Sequence, residues 1–207
     1  MNIGILGSGN IGHNAARLFA RAGHLIAISN SRGPQSLVNF VHELGHNAQA
    51  LSAEEVVQFG DVILLAIPWV KRDELPDAQL FTNKIVIDAM NPYSAIFQLI
   101  DLSPSTSSEE VARQLPQAHI VKAFNTMYFE TLRTGGRTTP QNRLVIFLAG
   151  DNAQAKAIVS QLIEEIGFAP LDTGSLHEGG LLQQPGSPIY NIPLTVEEAR
   201  KRLAQLP

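Results

Sequence analysis

A glycine-rich turn set between an aliphatic run and an amphipathic segment constrains this chain more than any other feature. Gly7-Ser8-Gly9-Asn10-Ile11-Gly12 closes the run Ile3–Gly7 and opens a stretch in which Ile11, Ala15, Leu18, Phe19 and Ala22 share one helical stripe. A strand turning sharply into a helix presents the helix's unpaired first N–H groups and the positive end of its dipole. Gly7 permits the tight turn, Gly9 lets a pyrophosphate approach the backbone, and Gly12 lets helix and strand pack closely. The context predicts that Gly7, Ser8, Gly9, Asn10, Ile11 and Gly12 cradle the pyrophosphate of a dinucleotide. The competing reading is a glycine turn with no ligand, and the flanking strand and helix weigh against it.

Short aliphatic runs recur at Leu25–Ser31, Val62–Pro68, Lys84–Met90, His119–Asn125 and Leu144–Gly150, and amphipathic segments separate them. Such alternation predicts parallel strands joined by crossover helices that cover both faces of a sheet. Capping boxes are expected at Ser52/Glu55, Ser107/Glu110 and Thr195/Glu198, and helix ends at Gly23, Gly45 and Gly167. A further helical stripe runs from Ala155 to Ile166. The stretch Gly174–Pro193 holds Gly179-Gly180, Pro185-Gly186 and Pro188, and is expected to be irregular. The fold class is therefore α/β: a Rossmann-like, doubly wound parallel sheet with a small C-terminal α/β extension. Residues 1–150 are expected to form the NADP-binding domain, and residues 151–207 a small C-terminal domain acting as lid or dimerisation element.

The end of the second strand selects the cofactor. An NAD site places an acid there to bind the ribose 2′-hydroxyl, whereas this chain has Ser29-Asn30-Ser31-Arg32 and no acid before Glu43. The Arg32 guanidinium offers a planar fork to a 2′-phosphate and Ser31 adds a hydroxyl, so NADP fits, with Asn30 part of the same turn. Ligands of doubly wound sheets gather beyond the carboxyl ends of the strands. Three loops qualify: Ala66-Ile67-Pro68-Trp69, Ala89-Met90-Asn91-Pro92-Tyr93 and Phe124-Asn125-Thr126-Met127. Pro68 and Pro92 would fix the loop backbone, Trp69 would offer a flat wall to a ring, and Asn91 and Asn125 would bond a carboxamide or ribose. Asn125 is the candidate catalytic position. Ordinary packing for Trp69 and strand-end capping for each Asn are the alternatives.

Absent features narrow the chemistry. None of Tyr93, Tyr128 and Tyr190 is followed four residues later by Lys, so a Tyr-x-x-x-Lys proton relay is missing. After a nucleotide domain of about 150 residues the remainder is expected to be too short for a large helical substrate domain, which leaves an acceptor that is flat, shallowly bound or shared with a second subunit. Hydride transfer between two rings, driven mainly by positioning, is the simplest reaction. A binding module that senses NADPH without catalysis is the rival. His42-Glu43-Leu44-Gly45-His46 matches the zinc-peptidase pattern H-E-x-x-H, but Gly45 is expected to end the helix and put His46 off its face, so no metal site is expected.

The net charge of −4 carries no electrostatic footprint for nucleic acid or an anionic membrane. The chain has no cysteine, which excludes thiol nucleophiles, thiolate metal sites and disulfides. The longest apolar run, Val62–Val70, contains Pro68 and is too short to cross a bilayer, and the N-terminus lacks a signal-peptide pattern. A cytoplasmic location is the expectation.

The glycine loop, Asn30-Ser31-Arg32, Ile67-Pro68-Trp69, Val121-Lys122-Ala123-Phe124-Asn125-Thr126, and Ala149-Gly150-Asp151 through Leu171-Asp172-Thr173-Gly174 together resemble the coenzyme F420-dependent NADP oxidoreductases, over nearly the whole chain. The resemblance implies NADP bound at the glycine loop and a homo-oligomer, here a homodimer, whose nicotinamide faces a deazaflavin. Deazaflavin-using members carry His where this chain has Asn125. The Phe-Asn-Thr version is similar to the cytosolic domain of six-transmembrane metalloreductases, which hand hydride to a flavin. F420, FMN, FAD and a small organic substrate therefore all stand as acceptors.

Overall fold

In the computed structural model, which describes residues 1–206, strand β1 (Asn2–Leu6) turns at Gly7 into helix α1 (Asn10–Arg21). The chain continues through β2 (Leu25–Ser29), α2 (Val38–Leu44), β3 (Ala48–Ala50), α3 (Ala53–Phe59), β4 (Val62–Leu65), β5 (Ile85–Asp88), α4 (Ser107–Gln114), β6 (His119–Ala123) and α5 (Phe129–Thr134). It ends with β7 (Val145–Gly150), α6 (Ala153–Glu165), β8 (Ala169–Asp172), α7 (Glu178–Leu182) and α8 (Val196–Leu203). All eight strands join one sheet in the order β3-β2-β1-β4-β5-β6-β7-β8.

The first six of these strands are parallel, as the alternation predicts, and the order reverses between β1 and β4. That reversal splits the connections after β1 and β4 to opposite faces and opens a crevice at their carboxyl ends. The register fixes where those ends lie: Leu6 pairs with Ser29 on one side and Leu65 on the other, Leu65 pairs with Asp88, and Asp88 with Lys122. The loops after β1, β2, β4, β5 and β6 therefore emerge along one edge.

Side chains alternate across the sheet, because successive residues of a strand point to opposite faces. Ile3, Ile5, Ile26, Ile28, Val62 and Leu64 pack against α1, α2 and α6. Leu6, Ala27, Ile63, Leu65 and Val86 pack against α3 and α4. Each such aliphatic side chain contributes about 1.5–3 kcal/mol on burial, which is why strands covered on both faces read as continuous apolar runs.

Three features depart from the sequence reading. Strands β3 and β8 follow Gly45 and Gly167, each expected to end a helix ahead of a possible strand, but they were not among the six runs read as strands: Ala48-Gln49-Ala50 and Ala169-Pro170-Leu171-Asp172 lack aliphatic runs, and Pro170 is tolerated because β8 lies at the sheet edge. Strand β7 pairs antiparallel with β6, since the intervening α5 does not carry the chain back across the sheet. The capping box of α4 is Thr106/Glu109, one residue before the expected pair, because Ser107 and Ser108 are turned inward onto a buried ion pair. The boxes at Ser52/Glu55 and Thr195/Glu198 are present. The sheet continues past residue 150, and α7 lies within the otherwise irregular stretch 174–193. No helix among the described residues is long and apolar enough to cross a membrane.

A methyl group added at Gly12 would sit 2.0 Å from the carbonyl oxygen of Gly7, whereas one added at Gly9 meets no atom within 4 Å. Gly12→Ala is expected to cost about 1–3 kcal/mol or more by forcing α1 off the strand, a fall of several degrees in Tm by circular dichroism. Gly9→Ala is expected to melt like the wild type. Matching melting temperatures for both variants would refute this packing account.

Candidate functional site at the carboxyl edge

The turn after β1 holds its shape through backbone contacts. Gly7 has φ 104°, its N–H donates to the Ser29 carbonyl at 3.1 Å, and a Cβ there would lie 2.4 Å from the Ala66 oxygen. Only glycine meets both demands. Helix α1 then starts at Gly9 with no side-chain cap and no acid in its first turn. Its first N–H groups, on Asn10, Ile11 and Gly12, have no partner within the helix and open onto the space above Gly9. A helix start of this kind is an anion site by construction. The residues present fit the diphosphate of a dinucleotide: the cradle is the volume a Cβ at Gly9 would share.

The turn after β2 is tied to that cradle. Asn30 Nδ2 donates to the Ser8 hydroxyl at 3.1 Å and to the Ser36 hydroxyl at 2.9 Å, while Asn30 Oδ1 accepts from the Arg32 N–H at 2.9 Å. Asn30 thus locks one loop to the other, a role that its identity in the sequence did not disclose. Ser31 and Arg32 are exposed, and among the described residues the Arg32 guanidinium makes no hydrogen bond or ion pair. His13 Nδ1 meets the Ser8 carbonyl and its ring lies 3.9 Å from that of Phe40, which closes the side of the cradle.

Beyond β4, β5 and β6 the expected residues separate into surface and interior. Ala66 and Ile67 are half-buried against the Gly7 turn, and Pro68 is exposed. Trp69 corrects the sequence reading: it is 2% exposed within the core that lies under α3 and α4, and the Arg72 guanidinium covers its ring at 4.5 Å. It offers no wall to a ligand because its apolar area is already used. Pro92 is buried and fixes the chain after Asn91.

Asn91 and Asn125 form a reciprocal pair. Asn91 Nδ2 donates to the Asn125 backbone oxygen at 3.0 Å, and Asn125 Nδ2 returns a bond to Asn91 Oδ1 at 3.0 Å. Asn125 is 5% exposed, and its amide also donates to the Gln183 carbonyl at 2.7 Å, while its own Oδ1 is buried without a partner. Asn91 is the half-exposed member and also donates to the Tyr190 hydroxyl at 3.2 Å. Gln183 and Tyr190 belong to the C-terminal stretch, which sequence reading left as an irregular tail. Their polar side chains among glycines and prolines were the one available signal. The stretch is pinned over the strand ends by Thr106 Oγ1 donating to the Leu176 carbonyl (3.2 Å) and by the Asn191 N–H donating to the Thr126 carbonyl (2.9 Å).

Beneath this pair lies a buried charge network that sequence reading missed. Asp88 and Lys122, both fully buried, sit side by side in register with 3.5 Å between Oδ2 and Nζ. Asp88 accepts from the Met90 N–H (2.9 Å) and the Ser108 hydroxyl (2.6 Å). Lys122 donates to the Met90 carbonyl (3.2 Å) and the Ser107 hydroxyl (3.0 Å). Burial pulls the Lys122 ammonium below its ordinary value, and Asp88 opposes that shift. Both polar groups of Met90 are thereby clamped, so the backbone entering Asn91 is fixed from below.

The metalloprotease-like pattern is dispersed. Gly45 ends α2 with φ 84°, leaving His42 on the helix and His46 beyond it, and Glu43 pairs with Arg17 at 2.7 Å.

Removing one partner of a fully buried ion pair leaves an uncompensated charge, so Lys122→Met is expected to cost about 3–5 kcal/mol. Asp88→Leu combined with Lys122→Met should recover part of that loss in urea unfolding. A double variant less stable than the sum of the single losses would contradict the pairing.

Residues 2–92 match the family model described as NADP oxidoreductase, coenzyme F420-dependent. A hypothetical protein, SMa0349, from Sinorhizobium meliloti is 33% identical, with a TM-score of 0.84 over 94% of this chain and 95% of that one. A protein from Arthrobacter sp. FB24, provisionally named an F420-dependent NADP-reductase, shares the fold at 24% identity and TM-score 0.75, over 94% of this chain and 99% of that one. The metalloreductase STEAP3 of Rattus norvegicus is 32% identical over 175 residues, which are 84% of this chain and 34% of that protein. The chain thus spans about a third of the curated relatives it matches. Residues 2–92, the glycine-loop part of this chain, thus belong to the NADP oxidoreductase, coenzyme F420-dependent family.

Proposed function

We propose that the protein is an NADP(H)-dependent oxidoreductase that passes hydride between the nicotinamide and a flat acceptor, a deazaflavin of the F420 type or a flavin. The observation that carries the reading is the pairing of an uncapped helix start at Gly9 with an unpaired guanidinium at Arg32, held together by Asn30. In this reading the amides of Asn10, Ile11 and Gly12 receive the pyrophosphate, with Gly7, Ser8 and Gly9 shaping the approach. Ser31 and Arg32 receive the 2′-phosphate, because a guanidinium gains charge-assisted bonds there and no acid competes.

The nicotinamide, when bound, supplies the hydride. Ala66, Ile67 and Pro68 border its ring. Asn91 orients the carboxamide from its half-exposed position, while Asn125, expected from the sequence as the catalytic position, is a positioning residue that acts from beneath by holding Asn91. Pro92 stiffens the same turn. The acceptor lies over an apolar rim: Val70, Ile96, Phe97, Leu99, Tyr128 and Leu181 are all exposed large apolar side chains on segments that leave this edge. An apolar rim excludes water and holds two rings face to face, which is most of what hydride transfer requires. Membership of the family and likeness to a metalloreductase support the class of reaction. In the same reading residues 151–207 act as lid and pairing element of a cytoplasmic homodimer, with exposed Leu181 and Ile192 as contacts and the mass in solution as the check.

NADPH oxidation in the presence of F420, FMN, FAD and a quinone tests the activity directly. Transfer to at least one ring is expected, and tight NADPH binding with transfer to none would favour a sensor instead. Arg32→Ala is expected to weaken NADPH binding by about 1–3 kcal/mol while NADH binding stays the same. Equal losses for the two cofactors, by calorimetry, would overturn the 2′-phosphate assignment.

A further inference from the structure

Hydride arriving on a conjugated acceptor ring leaves negative charge on a ring oxygen or nitrogen, and a site that meets this charge with a fixed donor lowers the barrier. The chain has no Tyr-x-x-x-Lys pair, and its buried carboxylate and ammonium, Asp88 and Lys122, are enclosed and fully bonded to one another and to α4. The fold nevertheless brings two phenols to the carboxyl edge from distant segments. Tyr93 follows β5, held by a bridge to Leu99 at the base of the finger that exposes Phe97 and Ile96. Tyr190 comes from the C-terminal stretch, and both are half-buried.

Their hydrogen-bond directions are constrained. Asn91 Nδ2 gives one hydrogen to the Asn125 carbonyl and the other to the Tyr190 oxygen. An amide nitrogen cannot accept, so Tyr190 is the acceptor in that bond and its own hydrogen must point elsewhere. Among the described residues the Tyr190 hydroxyl donates no hydrogen bond, and the Tyr93 hydroxyl is the polar group next to it. We propose that the Tyr190 hydroxyl, supported by Tyr93, is a further catalytic residue: the hydrogen-bond donor to the ring oxygen or nitrogen of a planar heteroaromatic acceptor that becomes negative as hydride is delivered. The assignment rests on the oxidoreductase reading above and adds to it the group that recognises the acceptor.

Burial, with Tyr93 next to it, holds the Tyr190 phenol above its ordinary value, so it stays neutral throughout the physiological range. A phenol of that kind donates without giving up its proton. The balance is then simple: the C–H bond of the dihydronicotinamide breaks with its electron pair, a bond to hydrogen forms on the acceptor, NADP+ remains, and the acceptor becomes an anion. Water supplies the proton that completes reduction, and Tyr190 keeps its own.

Tyr190→Phe preserves the ring and removes the donor. Single-turnover transfer from NADPH to F420 or FMN is expected to fall about 10- to 100-fold, with NADPH affinity within about twofold of wild type. Rates in both proteins should be flat between pH 6 and 9. The second readout does not depend on turnover: the ratio of dissociation constants for oxidised and reduced FMN, taken by titration, should shift against the reduced form in Tyr190→Phe. Tyr93→Phe should show a smaller shift in the same direction. A purely structural role would lower Tm and NADPH affinity and leave that ratio unchanged, which would overturn the proposal. So would wild-type rates in Tyr190→Phe, or a pH break abolished by the substitution. If the wild type binds NADPH but neither F420 nor either form of FMN, the donor assignment falls while the NADP reading stands; failure to bind NADPH would remove both.

Discussion

The contact between Gly12 and the carbonyl of Gly7 sets the geometry on which the rest depends. It brings the first turn of α1 within backbone distance of the strand end, a separation that any side chain would enlarge. Because Gly7 is also wedged against Ala66, the strand end is fixed on its other side by β4, at the place where the sheet order reverses. One close approach therefore sets the direction of the helix start, the width of the crevice and the position of the loop after β4. Asn30 extends this frame laterally by bonding Ser8, so the guanidinium of Arg32 is carried on a turn whose base is anchored although its tip is free.

A second constraint works at the opposite side of the crevice and is electrostatic. Placing Asp88 and Lys122 in the interior is costly in desolvation, and an apolar pair of similar volume would serve stability as well or better. The retained charges do something an apolar pair cannot: they bond both the N–H and the C=O of Met90 and turn Ser107 and Ser108 inward at the start of α4. The result is a strand end with defined direction, from which Asn91 projects. The Asn91–Asn125 pair then carries that direction across to β6 and up to Gln183 and Tyr190.

Legibility in the sequence followed the range of the interactions. The glycine turn, the parallel strands and the first and last capping boxes depend on residues within a few positions of one another, and they were readable. The α4 box was misread by one residue because the choice between Ser107 and Thr106 is made by Asp88 and Lys122, which are distant in sequence. Strands β3 and β8 are edge or near-edge segments without an aliphatic run, so pattern alone could not distinguish them from loops. Trp69 was misassigned for a related reason: an aromatic residue after a strand can face either layer, and here the interior and Arg72 claim it. The three loops expected after strands do leave the sheet along one edge, but the hydrogen bonds between them were not legible.

Those partnerships show how the C-terminal stretch adds to the crevice that the strand ends open. The glycine loop and the turn after β2 bring backbone amides and a guanidinium to this edge. The polar groups bonded to Asn91 and Asn125 come from a stretch whose glycines and prolines prevent it from forming long regular elements of its own. The short helix α7 ends at Gln183 and so places that carbonyl on Asn125, while the irregular chain after it follows the uneven line of strand ends and brings a phenol to Asn91. The same stretch leaves Leu181 and Ile192 exposed beside those contacts. Through Gln183 and Tyr190 the tail is tied to the loops after β5 and β6, so on the proposed reading a change in it bears first on the acceptor end of the crevice.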